Sequence, residues 1–316
     1  MDIGQMVRVA RLYYEFGYKQ EEIAEREKIS RASVSRLLDK AYREGIVQIK
    51  VVYPLQPVRD LEESLERHFN LKKVFVVPVI VDHPDAVRHD LGRAVAAFLK
   101  DIIGDGDIIG VSWGTTLPFV TQHLERCPVQ RLTVVQLNGG VAKSYLSAQS
   151  GTIIEGFVQA FGAVPYMLPV PTIVDSEELA AAIAADSNVK QALDLARKAR
   201  IALFGIGRAS YESILVQAGY FRDGEYERLL SRGAVGDICS RYFRRDGSIA
   251  DMELYNRTVG ISLAELASKE YSIAVANGEE KAEAILGALR GGYANTLFVD
   301  EFAARKCIEL LDSGNA

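Results

Sequence analysis

A cluster of hydroxyl side chains follows an apolar run near the middle of the sequence. The segment GDGDIIGVSWGTT ends with Ser112, Thr115 and Thr116 arranged around Gly114. A helix pattern follows, and Pro118 is tolerated in its first turn. Hydroxyls and free backbone N–H groups at such a position are natural donors to a phosphate, and glycine permits close approach of the backbone. An ordinary capped turn would use the same residues, so the segment alone leaves both interpretations open.

A second segment compatible with phosphate binding is ANGEEKAEAILGALRGG, in which Asn277-Gly278 leads into a helix pattern. Lys281 falls in the first turn of that helix, where a positive charge opposes the helix dipole and indicates a negative partner. Glu279 or Glu280 would be one such partner, and a bound phosphate would be another. The Gly-Lys-Ser/Thr of a Walker A loop is missing from the sequence, so a nucleoside triphosphate is not expected.

Two further segments place polar groups beside apolar runs. Asn138-Gly139-Gly140 directly follows the strand pattern LTVVQL, and Asp237 lies in an otherwise apolar turn. The Asp237 carboxylate would accept hydrogen bonds from sugar hydroxyls or cap the next helix. Open α/β sheets bind ligands at the carboxyl ends of their parallel strands, so these groups are expected at one binding site.

The N-terminal segment has the pattern of a helix-turn-helix. Gln20–Lys28 fits a short helix, and Ser30 is placed to cap a second helix, RASVSRLLDKAYREG, that ends at Gly45. In this motif the first side chains of the second helix reach base edges in the major groove, while flanking groups hold phosphates. The alternative is an amphipathic helical hairpin with a solvated basic face. The candidate DNA-binding residues are Ser30, Arg31, Ser33, Ser35, Arg36, Lys40 and Arg43.

The remaining elements predict the fold that positions these groups. The strand patterns are VQIKVVY near the N-terminus and then KVFVVPVIV, DIIGVS, LTVVQL, RIALFGI, SIAVA and NTLFVD. Helix patterns separate most of them, among them VRDLEESLERHF, DAVRHDLGRAVAAFLKDII, SGTIIEGFVQAFG and EEKAEAILGALR. Apolar strands that alternate with helices predict an α/β, Rossmann-like domain with a mostly parallel sheet covered by helices on both faces.

The charge distribution divides the chain at Tyr53. The 316 residues carry a net charge of −5, which is the wrong sign for a protein that coats nucleic acid. Residues 1–53, however, hold 10 Lys and Arg against 8 Asp and Glu, so the negative balance lies in the rest of the chain. We predict a small, mainly helical DNA-binding domain over 1–53, a linker over 54–57, and an effector and oligomerisation domain over 58–316.

The cysteines and the apolar segments bear on the cellular compartment. The three cysteines are far apart, and neither they nor the four histidines have the spacing of metal ligands. Arginines occupy the N-terminal segment where a signal peptide needs an apolar run, and the longest uncharged stretch is too short to span a membrane. We therefore expect a cytoplasmic protein with reduced thiols and with neither a bound metal nor a membrane partner.

The same motifs resemble those of the SorC family of sugar-responsive bacterial transcriptional regulators. The similarity is carried by QEEIAEREKISRASVSRLLDKAYREGIVQIKV, GVSWGTT, VVQLNGG, AVGDICSRYF and EEKAEAILGALRGGYANTLFVDE, and so runs almost from end to end. The family's effector domain is related in fold to phosphosugar isomerases and binds phosphorylated sugars. The resemblance implies that Ser112, Gly114, Thr115, Thr116 and Lys281 hold the phosphate, and that Asn138, Gly139, Gly140 and Asp237 face the sugar.

The sequence departs from the family pattern at two positions. GVSWGTT and VGDICSR are most similar to members that respond to deoxyribose 5-phosphate, which have a lysine where this chain has Asn138. A lysine there can form an imine with an open-chain sugar, whereas asparagine cannot. The effector is therefore either deoxyribose 5-phosphate bound without a covalent bond or a different pentose or hexose phosphate. Asn277 stands where a Gly-Gly pair is usual.

An enzyme is the main alternative to a regulator. A phosphosugar isomerase or aldolase-like protein with an appended helix-turn-helix would use Asp237 as general base and Lys281 as electrostatic stabiliser. No second carboxylate or histidine stands out beside Asp237, and an isomerase does not need a DNA-binding module. We therefore expect a regulator, most simply a repressor, with no catalytic residue and no cofactor. Its partners would be operator DNA, a phosphosugar and further copies of the chain in a dimer or tetramer, with helix Val58–Phe69 relaying the effector's signal.

Overall fold

The computed structural model describes residues 3–47, 56–127, 129–141 and 144–314. The chain divides into two compact units, Met1–Pro54 and Leu55–Ala316, each of which is described by itself. The strand predicted at VQIKVVY lies, apart from its first residue, outside the described residues. Half of the predicted linker also lies outside them, and its other two residues, Gln56 and Pro57, already belong to a helix. That correction agrees with the tolerance of proline in the first turn of a helix, where its missing N–H has no intrahelical acceptor.

The first unit contains three helices, α1 (Ile3–Tyr14), α2 (Gln20–Glu27) and α3 (Arg31–Arg43). They enclose one apolar core, formed by Met6, Val9, Ala10, Ile23, Val34, Leu37, Leu38 and Ala41. Lys28 ends α2 in a left-handed conformation, and the Ser30 hydroxyl accepts a hydrogen bond from the N–H of Ser33 at 3.1 Å. The predicted cap at Ser30 is confirmed.

The second unit is built on a parallel sheet of seven strands in the order β1-β10-β9-β5-β2-β3-β4. Consecutive residues of the central strands are buried, which requires that both faces of the sheet be covered. The strands are β1 (Lys73–Val77), β2 (Ile108–Val111), β3 (Thr133–Gln136), β4 (Val164–Tyr166), β5 (Ile201–Gly205), β9 (Tyr271–Ala276) and β10 (Thr296–Asp300). The predicted α/β fold with a mostly parallel sheet is confirmed.

Helices follow or precede most of these strands, and the longest of them pack on the sheet. The main core joins α5, α6 and α7 to both halves of the sheet, with Phe157, Leu99 and Phe298 fully buried. The helices are α4 (Gln56–Phe69), α5 (Pro84–Ile102), α6 (Leu117–Thr121), α7 (Ser144–Phe161), α8 (Glu177–Ala185), α9 (Ser187–Lys198), α10 (Ile214–Gln217), α11 (Glu225–Ser231), α12 (Met252–Asn256), α13 (Leu263–Ala267), α14 (Ala282–Arg290) and α15 (Glu301–Asp312).

A small antiparallel sheet, which the sequence did not predict, stands beside the large one. It consists of β6 (Gly207–Arg208), β7 (Ala234–Ile238) and β8 (Arg241–Arg244). β7 and β8 form a hairpin whose two turn residues, Cys239 and Ser240, both have positive φ angles of 52° and 67°. A two-residue turn of this kind matches the twist of a hairpin, although it usually contains glycine or asparagine. The segment around Asp237 is therefore a strand rather than the predicted turn.

The order of the strands creates a crevice at the centre of the large sheet. From β2 the chain proceeds to β3 and β4 on one side, while from β5 it proceeds to β9 and β10 on the other. The adjacent strands β2 and β5 are thus the point at which the winding direction reverses. Open α/β sheets bind ligands beyond the carboxyl ends of the strands at such a point.

Candidate functional site

A cavity of about 340 Å³ lies beyond the carboxyl ends of β2, β5 and β9. It is lined by the segments that follow these strands, by the β7–β8 hairpin and by one side chain of α5. Seven of the residues predicted for effector binding line it together: Ser112, Gly114, Thr115, Thr116, Asn138, Asp237 and Lys281. The clustering places hydroxyl, amide, carboxylate and ammonium groups from distant parts of the sequence in one cavity.

Gly139 and Gly140, which were predicted to face the sugar, are not among the residues that line this cavity. A Cβ on Gly139 would come within 2.6 Å of the carbonyl oxygen of Pro171, so this glycine permits two backbone segments to pack closely. Its carbonyl accepts a hydrogen bond from the Trp113 indole at 2.8 Å. The Gly140 carbonyl accepts one from the hydroxyl of Tyr220 at 3.2 Å. Gly139 therefore has a structural role beside the site, whereas a Cβ on Gly140 would meet open space.

The hydroxyl loop 112–116 connects β2 to α6. Ser112 and Thr116 are buried, whereas Thr115 is exposed, so the cavity is lined by both buried and solvent-exposed hydroxyls of this loop. The Thr116 hydroxyl donates to the side-chain oxygen of Asn277 at 3.0 Å, which ties this loop to the one that follows β9. Because α6 has only five residues, its helix dipole adds little, and the donors of this loop are its hydroxyls and backbone N–H groups.

Lys281 reaches the cavity from the loop that follows β9. Gly278 has a φ of 95°, which favours glycine, and its N–H donates to the Asp300 carboxylate at 2.6 Å. A short 3-10 turn, Glu279–Lys281, then leads into α14, so Lys281 precedes the α-helix that was predicted to contain it. Burial lowers the pKa of Lys281, while the nearby charge of Glu280 raises it. Lys281 forms no ion pair with any carboxylate of the described residues, which leaves its ammonium group available to an anion.

Hydrogen-bond acceptors form a second group in the cavity. The side-chain amide of Asn138 lies 3.4 Å from the Ser240 hydroxyl and 3.4 Å from the Thr172 hydroxyl. Asn138 is buried, and its side-chain oxygen has no hydrogen-bond partner among the described residues. A buried acceptor without a donor is costly, so this oxygen is suited to a donor on a ligand.

The Asp237 carboxylate, like this amide, interacts with Ser240. One of its oxygens accepts the N–H of Ser240 at 3.2 Å, which holds the turn of the hairpin. Gly207 of β6 packs directly against the carboxylate, and a side chain at that position would collide with it. Burial raises the pKa of Asp237 to about 6, although the Ser240 N–H and the charge of Lys281 both lower it. The carboxylate therefore carries its charge at neutral pH and accepts hydrogen bonds there.

Several residues that line the cavity were not predicted from the sequence as site residues. Glu280 was seen only as a partner for Lys281, and Asn277 only as a departure from the family pattern. Ser240 was hidden because the hairpin was not predicted. Nothing in the sequence predicts a binding role for Arg88, since an arginine on an amphipathic helix is usually exposed to solvent. The further lining residues are Trp113, Leu117, Gly205, Ile206, Gly207, Arg208, Ser210, Glu212, Ser213, Ile214, Leu215, Cys239 and Val275.

The candidate DNA-binding surface is the exposed face of α3. Arg31, Ser35, Arg36 and Arg43 are exposed, whereas Lys40 is half-buried. Arg31 forms an ion pair with Glu21 of α2 at 2.9 Å, with both side chains largely exposed. Exposed ion pairs of this kind contribute little to stability, so the guanidinium can exchange its partner for a phosphate.

Ser33 differs from the prediction because it is engaged within the helix. Its hydroxyl lies 2.9 Å from the Ser30 hydroxyl and accepts a hydrogen bond from Arg36 at 3.3 Å. Ser33 is also half-buried rather than exposed. In this arrangement Ser33 orients the cap and the Arg36 side chain, and the outward groups of the first two turns are Arg31, Ser35 and Arg36. Lys40 and Arg43, later in the helix, pair with Glu44 and Asp39.

Known proteins that are similar to this chain include a sugar-binding domain family and transcriptional regulators. Residues 53–309 match the Sugar-bind family, which is a sugar-binding domain. The deoxyribonucleoside regulator of Bacillus subtilis (strain 168) is 39% identical over 302 residues, which cover 96% of each chain. The sorbitol operon regulator of Klebsiella pneumoniae is 30% identical over 312 residues, which cover 98% of each chain.

Solved structures show the same similarity. The crystal structure of the full-length sorbitol operon regulator SorC from Klebsiella pneumoniae has a TM-score of 0.80 and 30% identity, over 96% of this chain and 98% of that one. A domain of a sugar-binding transcriptional regulator from Arthrobacter aurescens TC1 has a TM-score of 0.74 and covers 81% of this chain. Within the described ranges, no helix is long and apolar enough to cross a membrane. The resemblance predicted from the motifs is confirmed, and the chain belongs to the sugar-binding family of SorC-type transcriptional regulators.

Proposed function

We propose that this protein is a cytoplasmic, DNA-binding transcriptional repressor of a carbohydrate or nucleoside catabolic operon, and that a phosphorylated sugar controls it. The observation that carries the proposal is the cavity at the reversal point of the sheet. It combines an unpaired ammonium group and three hydroxyls with a buried amide oxygen and a carboxylate. A small ligand with an anionic group and several hydroxyls would bind the ammonium and hydroxyl donors through the anion, and the amide and carboxylate acceptors through its hydroxyls.

The roles of the residues follow from their chemistry. Ser112, Thr115 and the backbone at Gly114 would donate to the phosphate, and Lys281 would supply a positive charge. The Thr116 hydroxyl would donate as well once it exchanges the side-chain oxygen of Asn277 for a phosphate oxygen. Asn138 and Asp237 would accept hydrogen bonds from sugar hydroxyls. Since asparagine cannot form an imine, binding would be non-covalent, with deoxyribose 5-phosphate or another pentose or hexose phosphate as the effector. The B. subtilis relative's name, deoxyribonucleoside regulator, supports including deoxyribose 5-phosphate among the candidates.

The first unit would bind operator DNA through α3. Arg31, Ser35 and Arg36 would approach base edges, with Ser33 orienting Arg36, while the Ser30 end of the helix, Lys40 and Arg43 would contact phosphates. One such helix reads one half-site, so a paired operator needs at least a dimer. In this proposal residues 1–53 bind DNA, and the second unit binds the effector and joins the subunits into a dimer or tetramer.

The DNA-binding part is tested by a gel-shift titration with DNA from the region upstream of the protein's own gene. We expect Arg31→Ala to weaken binding by about 1 to 3 kcal/mol, because the lost guanidinium contacts either a base edge or a phosphate. Arg11→Ala on α1 is the matched control, since the Arg11 side chain is also mostly exposed and is paired with a glutamate, Glu15. Equal affinities for wild type and Arg31→Ala would exclude α3 as the recognition helix.

A phosphosugar isomerase or aldolase-like enzyme is the second candidate. It is favoured by Asp237, whose raised pKa, enclosure and proximity to Lys281 suit a general base. Incubating the purified protein with ribose 5-phosphate and deoxyribose 5-phosphate and analysing the sugars separates the two candidates. We expect no turnover. Conversion at an enzyme-like rate that is lost in Asp237→Asn would establish the enzyme instead.

A further inference from the structure

Arg88 is a second cation in the effector cavity, and neither the sequence pattern nor the proposed function uses it. It lies on α5, one helical turn before Gly92. A Cβ on Gly92 would come within 2.5 Å of the backbone carbonyl of Phe119, so α5 and α6 touch at that glycine. The contact brings the first turns of α5 close to the loop that precedes α6. Arg88 thereby lines the same cavity as the hydroxyl loop 112–116.

The partners of Arg88 within the protein leave its guanidinium incompletely satisfied. One terminal nitrogen donates to Asp85 at 3.0 Å, in an ion pair whose carboxylate is 59% exposed. The Nε–H group is buried and has no acceptor among the described residues. Arginine presents its donors in a planar fork that matches phosphate oxygens. A ligand oxygen in the cavity would supply the acceptor that Nε–H lacks.

Arg88 and Lys281 also affect each other. Burial lowers the pKa of Lys281, the charge of Glu280 raises it and the charge of Arg88 lowers it, so that two like charges lie within electrostatic reach in a cavity that Glu280 also lines. Such an arrangement costs free energy unless an anion lies between the charges. A phosphate monoester carries close to two negative charges at neutral pH and can neutralise both cations, whereas a carboxylate carries only one.

We propose that Arg88 binds the effector's phosphate directly, together with Lys281, and that this pair of cations makes the site select phosphate monoesters over singly charged sugar acids. The inference rests on the proposed function, because it assigns the phosphate of the same ligand. It adds a binding residue from α5, an element to which neither the motifs nor the resemblance assigned a part in ligand binding.

The test is calorimetric titration of the full-length protein with inorganic phosphate, ribose 5-phosphate, deoxyribose 5-phosphate and gluconate. We expect Arg88→Gln to weaken binding of the phosphate compounds by about 10- to 100-fold, which is the usual effect of losing a hydrogen bond to a charged group. Arg88→Lys should fall between the wild type and the glutamine variant. Gluconate should bind the wild type more weakly than the sugar phosphates, and Arg88→Gln should narrow that difference.

Two control variants distinguish ligand binding from a structural role. Arg93→Gln removes a charge from the same helix at a position that is 69% exposed, and it should leave the affinities unchanged. Asp85→Asn removes the partner of Arg88 and should keep or improve phosphate binding. If Arg88 only steadies α5 through Asp85, then Asp85→Asn will reproduce the defect of Arg88→Gln, which would overturn the inference.

The remaining outcomes separate this inference from the proposed function. If the wild type binds sugar phosphates and Arg88→Gln binds them equally well, the inference fails while the proposed function stands. If the wild type binds none of the phosphate compounds, both fail. Thermal unfolding of each variant shows whether a lost affinity reflects a lost fold. An Arg88→Gln variant that unfolds at the same temperature as the wild type but binds phosphate more weakly supports the inference.

Discussion

At the scale of single residues, the acceptors of the cavity have different states of charge. Asn138 is neutral and buried with an unused side-chain oxygen, whereas Asp237 titrates near pH 6. Asp237 is an unusual carboxylate because burial, which raises its pKa, outweighs the neighbouring Ser240 N–H and Lys281. Its ionisation therefore opposes folding, and a ligand that donates hydrogen bonds to the carboxylate would recover part of that free energy.

Asp237→Asn tests this account through the pH dependence of stability. A carboxyl group whose pKa is raised in the folded state, here to about 6, makes the wild type lose stability as pH rises from about 4 to 6. The asparagine can still accept the Ser240 N–H but does not titrate. We therefore expect the difference in free energy of unfolding, variant minus wild type, to increase between pH 4.5 and pH 7.5 by at most about 3 kcal/mol. Urea unfolding at the two pH values measures the change, and a difference between the proteins that stays constant with pH would contradict it.

The residues of the site could be predicted from the sequence where a motif was contiguous. Ser112, Thr115 and Thr116 stand together in one loop, and a strand–glycine–helix pattern is enough to identify that loop. Arg88 could not be predicted, because its distance from the cavity depends on how α5 packs against α6. Gly139 was predicted to face the sugar but packs against Pro171, since a glycine needed for backbone packing looks the same in sequence as one that faces a ligand.

At the scale of elements, α4 protects the edge strand β1. Every second N–H of an edge strand points away from the sheet and has no strand to bond to. The side chain of Glu66 accepts the N–H of Val74 at 2.9 Å, and that of Glu62 accepts the N–H of Val76 at 2.9 Å. The two glutamates lie one helical turn apart, which matches the spacing of two residues along the strand. This helix is also the element that we predicted to relay the effector's signal.

Glu62 offers a matched pair of substitutions. Burial raises the pKa of Glu62, so a neutral group of the same shape is at least as well accommodated there. We expect Glu62→Gln to keep the hydrogen bond to Val76 and to leave stability unchanged or slightly higher. Glu62→Ala leaves that N–H without its acceptor and should lower stability by about 1 kcal/mol.

Hydrogen exchange of the Val76 amide measures this effect at the bond itself. The amide should exchange faster in Glu62→Ala and at the wild-type rate in Glu62→Gln. Equally slow exchange in all three proteins would mean that the carboxylate does not secure the edge strand.

The elements were predictable to the extent that they were long and apolar. All six strands predicted in the second unit are present, because five of them are almost continuous runs of buried residues. The sixth, β1, is buried only in part and ends at Val77, before Pro78, whereas its prediction extended to Val81. β4 was missed since it has three residues, one of which is Pro165, a residue that an edge strand tolerates. The hairpin β7–β8 was missed because Gly236 and Asp237 resemble turn residues, while the real turn uses Cys239 and Ser240 in a conformation that other residue types favour.

At the scale of the whole molecule, the net charge of −5 is the sum of two parts whose net charges have opposite signs. The basic residues 1–53 and the acidic remainder agree with the two compact units of the structure. An effector in the second unit can alter DNA binding by the first only as far as it favours one state of the protein over another. The proposed function therefore requires that the same phosphosugar change operator affinity, and that the change depend on the cavity.

The most direct test is fluorescence anisotropy of labelled operator DNA, titrated with the full-length protein in the presence of pentose and hexose phosphates, including deoxyribose 5-phosphate. We predict that one of them changes operator affinity of the wild type by about 5- to 150-fold. Lys281→Ala should bind the operator as the wild type does without ligand and should not respond to the sugar phosphate. An operator affinity that no sugar phosphate alters, or a response that survives in Lys281→Ala, would contradict the account.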